Sequence, residues 1–392
     1  MRMLTNSESS NMKYPIFLDY QSTTPCDPEV LRAMDPYWSL FCGNPSGRQN
    51  KESSYASAAV SIARESLALT LEVSPERIIF TSGATEANNL ALLGHARAHA
   101  LDNGFRGHII TASTEHNAVL DPIKQLQKEG FRVTLIRPYE NGILTSKSLI
   151  SAIEKDTFLV SIMMANNEIG VIQPVSELAK ICKERGIIFH SDAAQSFGNI
   201  PIAVDSFGID LLTISGHKIY GPKGIGALII RNDVPIIPLF WGGGQENGFR
   251  AGTLPVPLVV GLAKAAEIAF KDIHNRTSRF LELRNKIWYE LKSKIPDLII
   301  NGSLDNRLAN NLNFSVPGVI GSRLHRSLRP LISCSSGSAC SNGEPSHVLQ
   351  SIGRSRKESE SSLRLSIGRN TTDIEVEKAI EIIASSIISL KQ

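Results

Sequence analysis

The stretch Leu211–Ile230, "LLTISGHKIYGPKGIGALII", decides how the chain is read. Two apolar runs flank a short connection rich in glycine, so the pair reads as a hairpin or close turn that contributes one antiparallel strand. Its surroundings read differently. From residue 77 onward short apolar runs recur as "RIIF", "HIITA", "RVTLIR", "TFLVSIMMA" and "IIFHSDA", ahead of "LLTISGH" and "GALIIR". Most are separated by helix-like segments such as 116–129, "HNAVLDPIKQLQKE", and 174–185, "PVSELAKICKER". The latter opens on proline and closes on basic residues, as helices prefer. Strands alternating with helices predict an α/β fold, a mostly parallel sheet with helices on both faces. After the Gly/Pro-rich stretch 242–257 comes a long helical pattern, roughly 256–293 with a break near Asn275. An α+β segment, about 296–390, closes the chain. This divides it into a large domain, 26–255, and a smaller one formed by 1–25 and 256–392.

Composition narrows the function. The 392 residues are 42% hydrophobic and 20% charged, ordinary globular usage. Lys and Arg number 41 against 38 Asp and Glu, a net charge of +3 without a basic run, which argues against nucleic acid as a partner. The cysteines (Cys26, Cys42, Cys182, Cys334 and Cys340) are odd in number, scattered and without a CxxC pair. Neither a disulfide framework nor a zinc site fits, and a reducing, cytoplasmic compartment is expected. The N-terminus lacks the apolar core of a signal peptide. The most apolar helix, near 256–270, carries Lys264 and Glu267, so no membrane span is expected.

In open α/β sheets ligands sit at the carboxyl ends of the strands. Three polar clusters fall there. "TSGATEANN" (81–89) places a glycine and small hydroxyl residues where a helix opens, offering free N–H groups for a phosphate. Read alone it is an ordinary helix cap with Glu86 as partner. "HSDAAQS" (190–196) ends an apolar strand on Asp192, which either pairs with a cation such as a pyridinium or caps the next helix. "SGHKIYGPKG" (215–224) places Lys218 directly after a strand, and an enclosed lysine can form a Schiff base with an aldehyde. A lysine near a turn is otherwise a solvated one. The "GPKGIG" run leads into a strand and is no dinucleotide fingerprint. Taken together, a phosphate cradle, an acid for a pyridinium and a Schiff-base lysine are what a pyridoxal 5'-phosphate enzyme needs. His116, after "HIITA", supplies a ring that could stack on the cofactor and move protons, or simply caps its helix.

"CSSGSACSNGEPS" (334–346) sets Cys340 among small polar residues, the neighbours of an exposed, mobile loop rather than of a structural cysteine. Cys334, in the apolar run "PLISC", reads as a buried strand residue.

From about Phe17 to Thr372 the chain resembles the cysteine desulfurases of the NifS/IscS group. That group lies in the class V aminotransferase superfamily, whose pyridoxal phosphate fold type I has a mostly parallel seven-stranded sheet and a small α+β C-terminal domain. The resemblance rests on "LDYQSTTPCDP", Cys42–Pro45, "FTSGATEANNLA", "TEHNAVLDP", "NNEIGVIQP", "HSDAAQSFG", "SGHKIYGPKGIGAL", "AGTLP", "SSGSACS" and "LRLSIGRNTT", in that order. "SSGSAC" is similar to the NifS/IscS branch rather than to the "RTGHHC" loop of the SufS branch.

The resemblance implies removal of sulfur from L-cysteine, giving L-alanine and a persulfide on Cys340, the nucleophile. Lys218 would hold the cofactor covalently and take the Cα proton, with His116 stacking on the ring as a second acid/base. Asp192 would pair with the pyridine nitrogen and Gln195 with the ring hydroxyl. Ala84, Thr85, Ser215 and His217 would hold the phosphate, with Thr253 reaching in from the second subunit of a homodimer. Asn167 would contact cofactor or substrate, Asn44 the substrate, and Arg364 the substrate carboxylate. The persulfide would pass to an acceptor protein such as an iron–sulfur scaffold, or feed other thio-cofactors.

Three departures qualify this. Only "SNG" separates Cys340 from "EPS", a short loop for the group. "VPGVIGSRLHRSL" has Gly321-Ser322 where an acidic residue is usual. The chain ends at Gln392 without the extension through which such enzymes engage a scaffold. A selenocysteine lyase or another class V enzyme is the nearest rival, and a non-catalytic sulfur-pathway adaptor a more distant one.

Overall fold

Alternate residues of the central strands face opposite ways, and both sets are apolar. Ile78, Phe80, Ile110, Val160, Phe189, Leu212 and Ile214 belong to one buried cluster. Their neighbours Ile79, Ile109, Leu159, Leu211 and Leu228 belong to clusters on the other side. A sheet buried on both faces is the result. In the computed structural model, which describes residues 15–336 and 345–392, these strands are β1 (Ile78–Thr81), β2 (His108–Ala112), β3 (Arg132–Ile136), β4 (Thr157–Ser161), β5 (Ile188–Asp192), β6 (Leu211–Ser215) and β7 (Gly226–Ile230). They form one seven-stranded sheet in the order β1-β7-β6-β5-β4-β2-β3. β7 is antiparallel to both of its neighbours and every other pairing is parallel. The hairpin expected at 211–230 is present, but its second strand is internal, between β6 and β1.

Helices cover both faces. Lys51–Leu71 and Val256–Lys271 pack together on the first, sharing its apolar cluster. The helical segment 84–103 and the helix Asn117–Lys128 lie on the second. The long helical pattern breaks at Asp272, earlier than Asn275, because Asp272 leaves the helical region (φ −121°, ψ 24°) between Val256–Lys271 and Ile273–Lys294. Helix 256–271, counted from the sequence with the smaller unit, therefore buries its apolar side against the large cluster.

A second apolar cluster holds the rest. A three-stranded antiparallel sheet places Asn311–Ser315 between Ser362–Ser366 and Ile299–Ile300. Helices Ile273–Lys294, Gly321–Leu328 and Asp373–Lys391 cover it, and Ile16 and Leu18 of the N-terminal arm join the same cluster. Among the described residues no helix is long and apolar enough to cross a membrane.

The antiparallel β7 has a consequence for the site. Its first residue, Gly226, lies opposite Thr81 of β1 and Ser215 of β6, at the edge where those strands end. A Cβ on Gly226 would stand 2.5 Å from the Ile214 carbonyl oxygen and 2.8 Å from the Gly83 Cα. Only glycine lets the backbone after β1 come this close to the backbone before the β6 turn. Gly226→Ala is predicted to cost about 1–3 kcal/mol by driving these segments apart. A lowered melting temperature checks this, and unchanged melting would contradict it.

Candidate active site

The carboxyl ends of β1, β2, β4, β5 and β6 open into a cavity of about 550 Å3. Ser82–Glu86, His116, Met163, Asn167, Asp192, Gln195, Ser215, His217 and Lys218 line it from the large sheet, and Arg364 from the smaller one. The N-terminal arm closes one side through Gln21, Ser22 and Thr23. All three sequence clusters thus meet in one place, as the carboxyl-end rule requires.

Lys218 sits in a short 3-10 turn directly after β6. Its Nζ donates to the Gln21 carbonyl at 2.5 Å and the Ser22 carbonyl at 2.9 Å. The arm also grips the turn itself. Thr24 donates to the His217 carbonyl through both its backbone N–H and its hydroxyl, each at 3.0 Å. The Thr24 hydroxyl in turn accepts from the Tyr220 N–H at 2.8 Å. Tyr220 has φ +66°, a left-handed conformation unfavourable for a bulky residue, and it persists because both sides of the turn are held. His217 Nδ1 meets the Thr23 hydroxyl at 3.1 Å, and burial, reinforced by the Lys218 and Lys223 charges, pushes its pKa down to about 4. At neutral pH it is an uncharged ring.

Asp192 ends β5 and is 5% exposed. Its Oδ2 accepts from Asn88 Nδ2 at 2.7 Å and its Oδ1 from the Ala194 N–H at 2.8 Å. No helix follows directly for it to cap; Asp192 instead anchors the turn 194–199 and faces the cavity with lone pairs to spare. His116 is likewise double. It caps the helix 117–128, its Nδ1 accepting from the Ala118 N–H at 3.0 Å, while its ring lines the cavity. Because Nδ1 is an acceptor, the neutral ring carries its proton on Nε2. Burial lowers its pKa, opposed by the Asp192 carboxylate and assisted by the Lys218 ammonium.

Arg364, 6% exposed, is held from several sides. One terminal nitrogen donates to the Asp19 carboxylate (2.9 Å), the Ser22 hydroxyl (2.6 Å) and the Ser335 hydroxyl (2.9 Å), and the other to the Asn167 carbonyl (2.8 Å). Its Nε and the Asn167 Oδ1 are buried without a hydrogen-bond partner among the described residues. An unmet donor and an unmet acceptor beside one cavity suit a zwitterionic or carboxylate ligand.

The start of the helical segment at Ala84 is equally open. Gly83 precedes it with no side-chain cap, and a Cβ there would meet nothing within 4 Å. Ala84, Thr85, Ser215 and His217 surround this opening. Free N–H groups at a helix start make an anion site. Asn44 and Thr253 do not line the cavity, and Thr253 is exposed on a loop whose Arg250 bonds Glu86 at 2.8 Å. Cys340 lies outside the described residues. Cys334 is only part-buried rather than in the core, and burial raises its thiol to about 12, an inert group at neutral pH. No group of three or more His, Cys, Asp or Glu fit to hold a metal occurs among the described residues.

Three residues escaped the sequence reading. Gln21 bonds Gln195 and lines the cavity, yet carries no charge or reactive atom that would single it out. Glu115 and Glu168 are buried carboxylates next to the named residues His116 and Asn167. Desolvation raises Glu115 well above the usual carboxylate range; its Oε1 accepts from the Met163 N–H at 2.8 Å and its carbonyl from His347 at 2.9 Å. Glu168 accepts from the Ser346 hydroxyl, and burial lifts it to about 7 against the pull of Ser346 and Arg364. Their adjacency to polar motif residues was the available signal.

A family model for class-V aminotransferases matches residues 16–379. "Cysteine desulfurase IscS" of Rickettsia conorii is 45% identical over 391 residues, covering 99% of this chain and 94% of that protein. The protein of the same name from Rickettsia prowazekii is 46% identical with the same coverage. Among solved structures, a "NifS-like protein" superposes with a TM-score of 0.89 at 35% identity, covering 96% of this chain and 99% of that one. "SspA in complex with cysteine" gives 0.78 at 37% identity, covering 90% and 98%.

Glu168 generates a pH prediction. Its folded pKa stands above the ordinary 4.5, so the protonated form favours the fold. That contribution is complete below about pH 4.5 and is lost as pH rises through 7. Glu168→Gln stays neutral throughout. It is expected to melt a few degrees above the wild type at pH 8, an advantage of up to about 3 kcal/mol, and to match it near pH 4.5. A difference independent of pH would contradict the assignment.

Proposed function

The chain belongs to the class-V aminotransferase family, and within it to the cysteine desulfurases, and from that membership we propose that it takes sulfur from L-cysteine with the help of pyridoxal 5'-phosphate. The observation that carries the proposal is that Lys218, Asp192, His116 and Arg364 all line one cavity. The residues present fit the cofactor. The uncapped helix start at Gly83–Thr85 suits its phosphate, the Asp192 lone pairs its pyridinium, and the Lys218 amine its aldehyde. When bound, this group supplies an electron sink for charge developing at the substrate Cα.

The chain's own groups then divide the work. Lys218 would hold the aldehyde of that group, and its Nζ would carry the Cα proton, with the Gln21 and Ser22 carbonyls placed to accept from the ammonium form. His116 offers the Nε2 proton of a neutral ring beside Asp192 and Lys218. Arg364 has an unmet Nε–H for the substrate carboxylate, and Asn167 an unmet Oδ1 for a nearby donor. Gln195 would meet the ring oxygen of the bound group, and Ser215 and His217 would help hold its phosphate.

Cys340 is the sulfur acceptor. Its thiolate attacks the substrate sulfur, an S–S bond forms as the Cβ–S bond breaks, and the bonding electrons remain on Cβ, which takes up a proton equivalent to the one the Cys340 thiol lost, so that the three-carbon fragment leaves as L-alanine. The persulfide then passes to an acceptor protein in iron–sulfur or thio-cofactor synthesis. Thr253, exposed in one chain, supplies the phosphate site of a partner in a homodimer, and Asn44 approaches the substrate. The protein works in the cytoplasm.

Cys340→Ser is predicted to abolish sulfide release from L-cysteine while leaving the visible cofactor band intact. Lys218→Ala is predicted to lose that covalent band and more than about 100-fold in alanine formation. Parallel assays of alanine and sulfide check both. Normal sulfide release by Cys340→Ser would rule out the persulfide route.

A further inference from the structure

A chain of side-chain amides runs from a buried cation to the cavity. Arg307 is 4% exposed and, among the described residues, has no carboxylate within ion-pair distance. Its guanidinium donates to the Ser303 carbonyl (2.8 Å), the Asn301 carbonyl and Asn311 Oδ1 (3.0 Å). A guanidinium only donates, so Asn311 must present its oxygen there and turn its nitrogen away. That nitrogen donates to Gln21 Oε1 at 2.5 Å and to the Glu168 carbonyl at 3.0 Å, a second acceptor-only atom that confirms the orientation. Gln21, its oxygen now committed, directs Nε2 at Gln195 Oε1 (3.4 Å). Gln195 is left with Nε2 pointing the other way, one hydrogen on the Gln21 carbonyl at 3.1 Å. The same carbonyl receives Lys218 Nζ.

We propose that Gln21 and Asn311 are positioning residues that fix the amide of Gln195, so that its second N–H donates to the ring oxygen of the cofactor. The proposal rests on the pyridoxal phosphate reading above. An amide has nearly the same shape either way round, so packing alone would let Gln195 present its carbonyl to the ring oxygen and repel it. The relay removes that freedom together with the Gln21 main-chain carbonyl, which can only accept from Gln195 Nε2: each amide's orientation follows from the one before it, and the first member is a group that cannot accept. Fully connected polar networks of this kind specify one arrangement in a buried site. Donation to the ring oxygen stabilises its anionic form. The nitrogen that joins Lys218 to the cofactor then gives up its proton at a lower pH.

The test is a pH titration of the visible absorbance of the cofactor-loaded protein. Gln21→Ala removes the relay's second amide. Asn311→Asp keeps size and pairs its charge with Arg307, but offers Gln21 an acceptor and so reverses the amides beyond it. Both variants are expected to move the acid–base transition of the visible band upward by about 0.5–1 unit. If either one fails to fold, judged by circular dichroism, the other carries the test. A transition that stays at the wild-type pH in a folded, cofactor-loaded variant overturns the proposal. A wild-type protein with no Lys218-dependent visible band would instead overturn the cofactor reading.

Discussion

The contact on which the site depends is the grip of the N-terminal arm on the turn after β6. Thr24 holds the His217 carbonyl and the Tyr220 N–H, while Gln21 and Ser22 receive the Lys218 amine. Without the arm, a bulky residue in a left-handed conformation beside a glycine-rich connection would relax, and the lysine would swing with it. The arm is anchored in turn. Leu18 lies in the apolar cluster of the smaller sheet, the Gln21 N–H bonds Ser366 at 2.9 Å, and Asp19 pairs with Arg364. One segment therefore ties the reactive amine to the guanidinium across the cavity.

Neutralisation of buried groups is the second constraint. His217, lowered to about 4, and His116, also lowered by burial, stay uncharged next to a lysine that carries the positive charge. Burial pushes Glu115, behind His116, toward its neutral form. Three charged groups in the cavity have partners: Asp192 with two N–H donors, Arg364 with Asp19, Lys218 with two carbonyls. A ligand bearing a phosphate and a carboxylate meets donors at both ends of such a cavity.

Much of this was legible in the sequence, for identifiable reasons. Strand and helix periods gave the alternating pattern, and the short glycine-rich connection after Ser215 could join only close neighbours. Lys218, Asp192 and His116 stood out because charged or titratable groups at the ends of apolar strands need a purpose. The place of β7 between β6 and β1 was not legible, since order within a sheet is set by non-local pairing. Nor were Gln21 and Asn311, whose roles arise from the orientation of neutral amides across residues far apart in the chain. Glu115 and Glu168 hide for a related reason: burial, invisible in a sequence, is what makes them unusual. Cys340 was singled out by composition alone; of the described residues flanking it, Ser335 bonds Arg364 and Ser346 bonds Glu168.

The central claim is a covalent one, that the Lys218 amine joins the aldehyde of pyridoxal 5'-phosphate. Borohydride reduction of the purified holoprotein, followed by peptide mass mapping, tests it directly. The account predicts a phosphopyridoxyl group on the peptide containing Lys218 and on no other. Label on Lys223 or elsewhere, or a protein that retains no label at all, would contradict it.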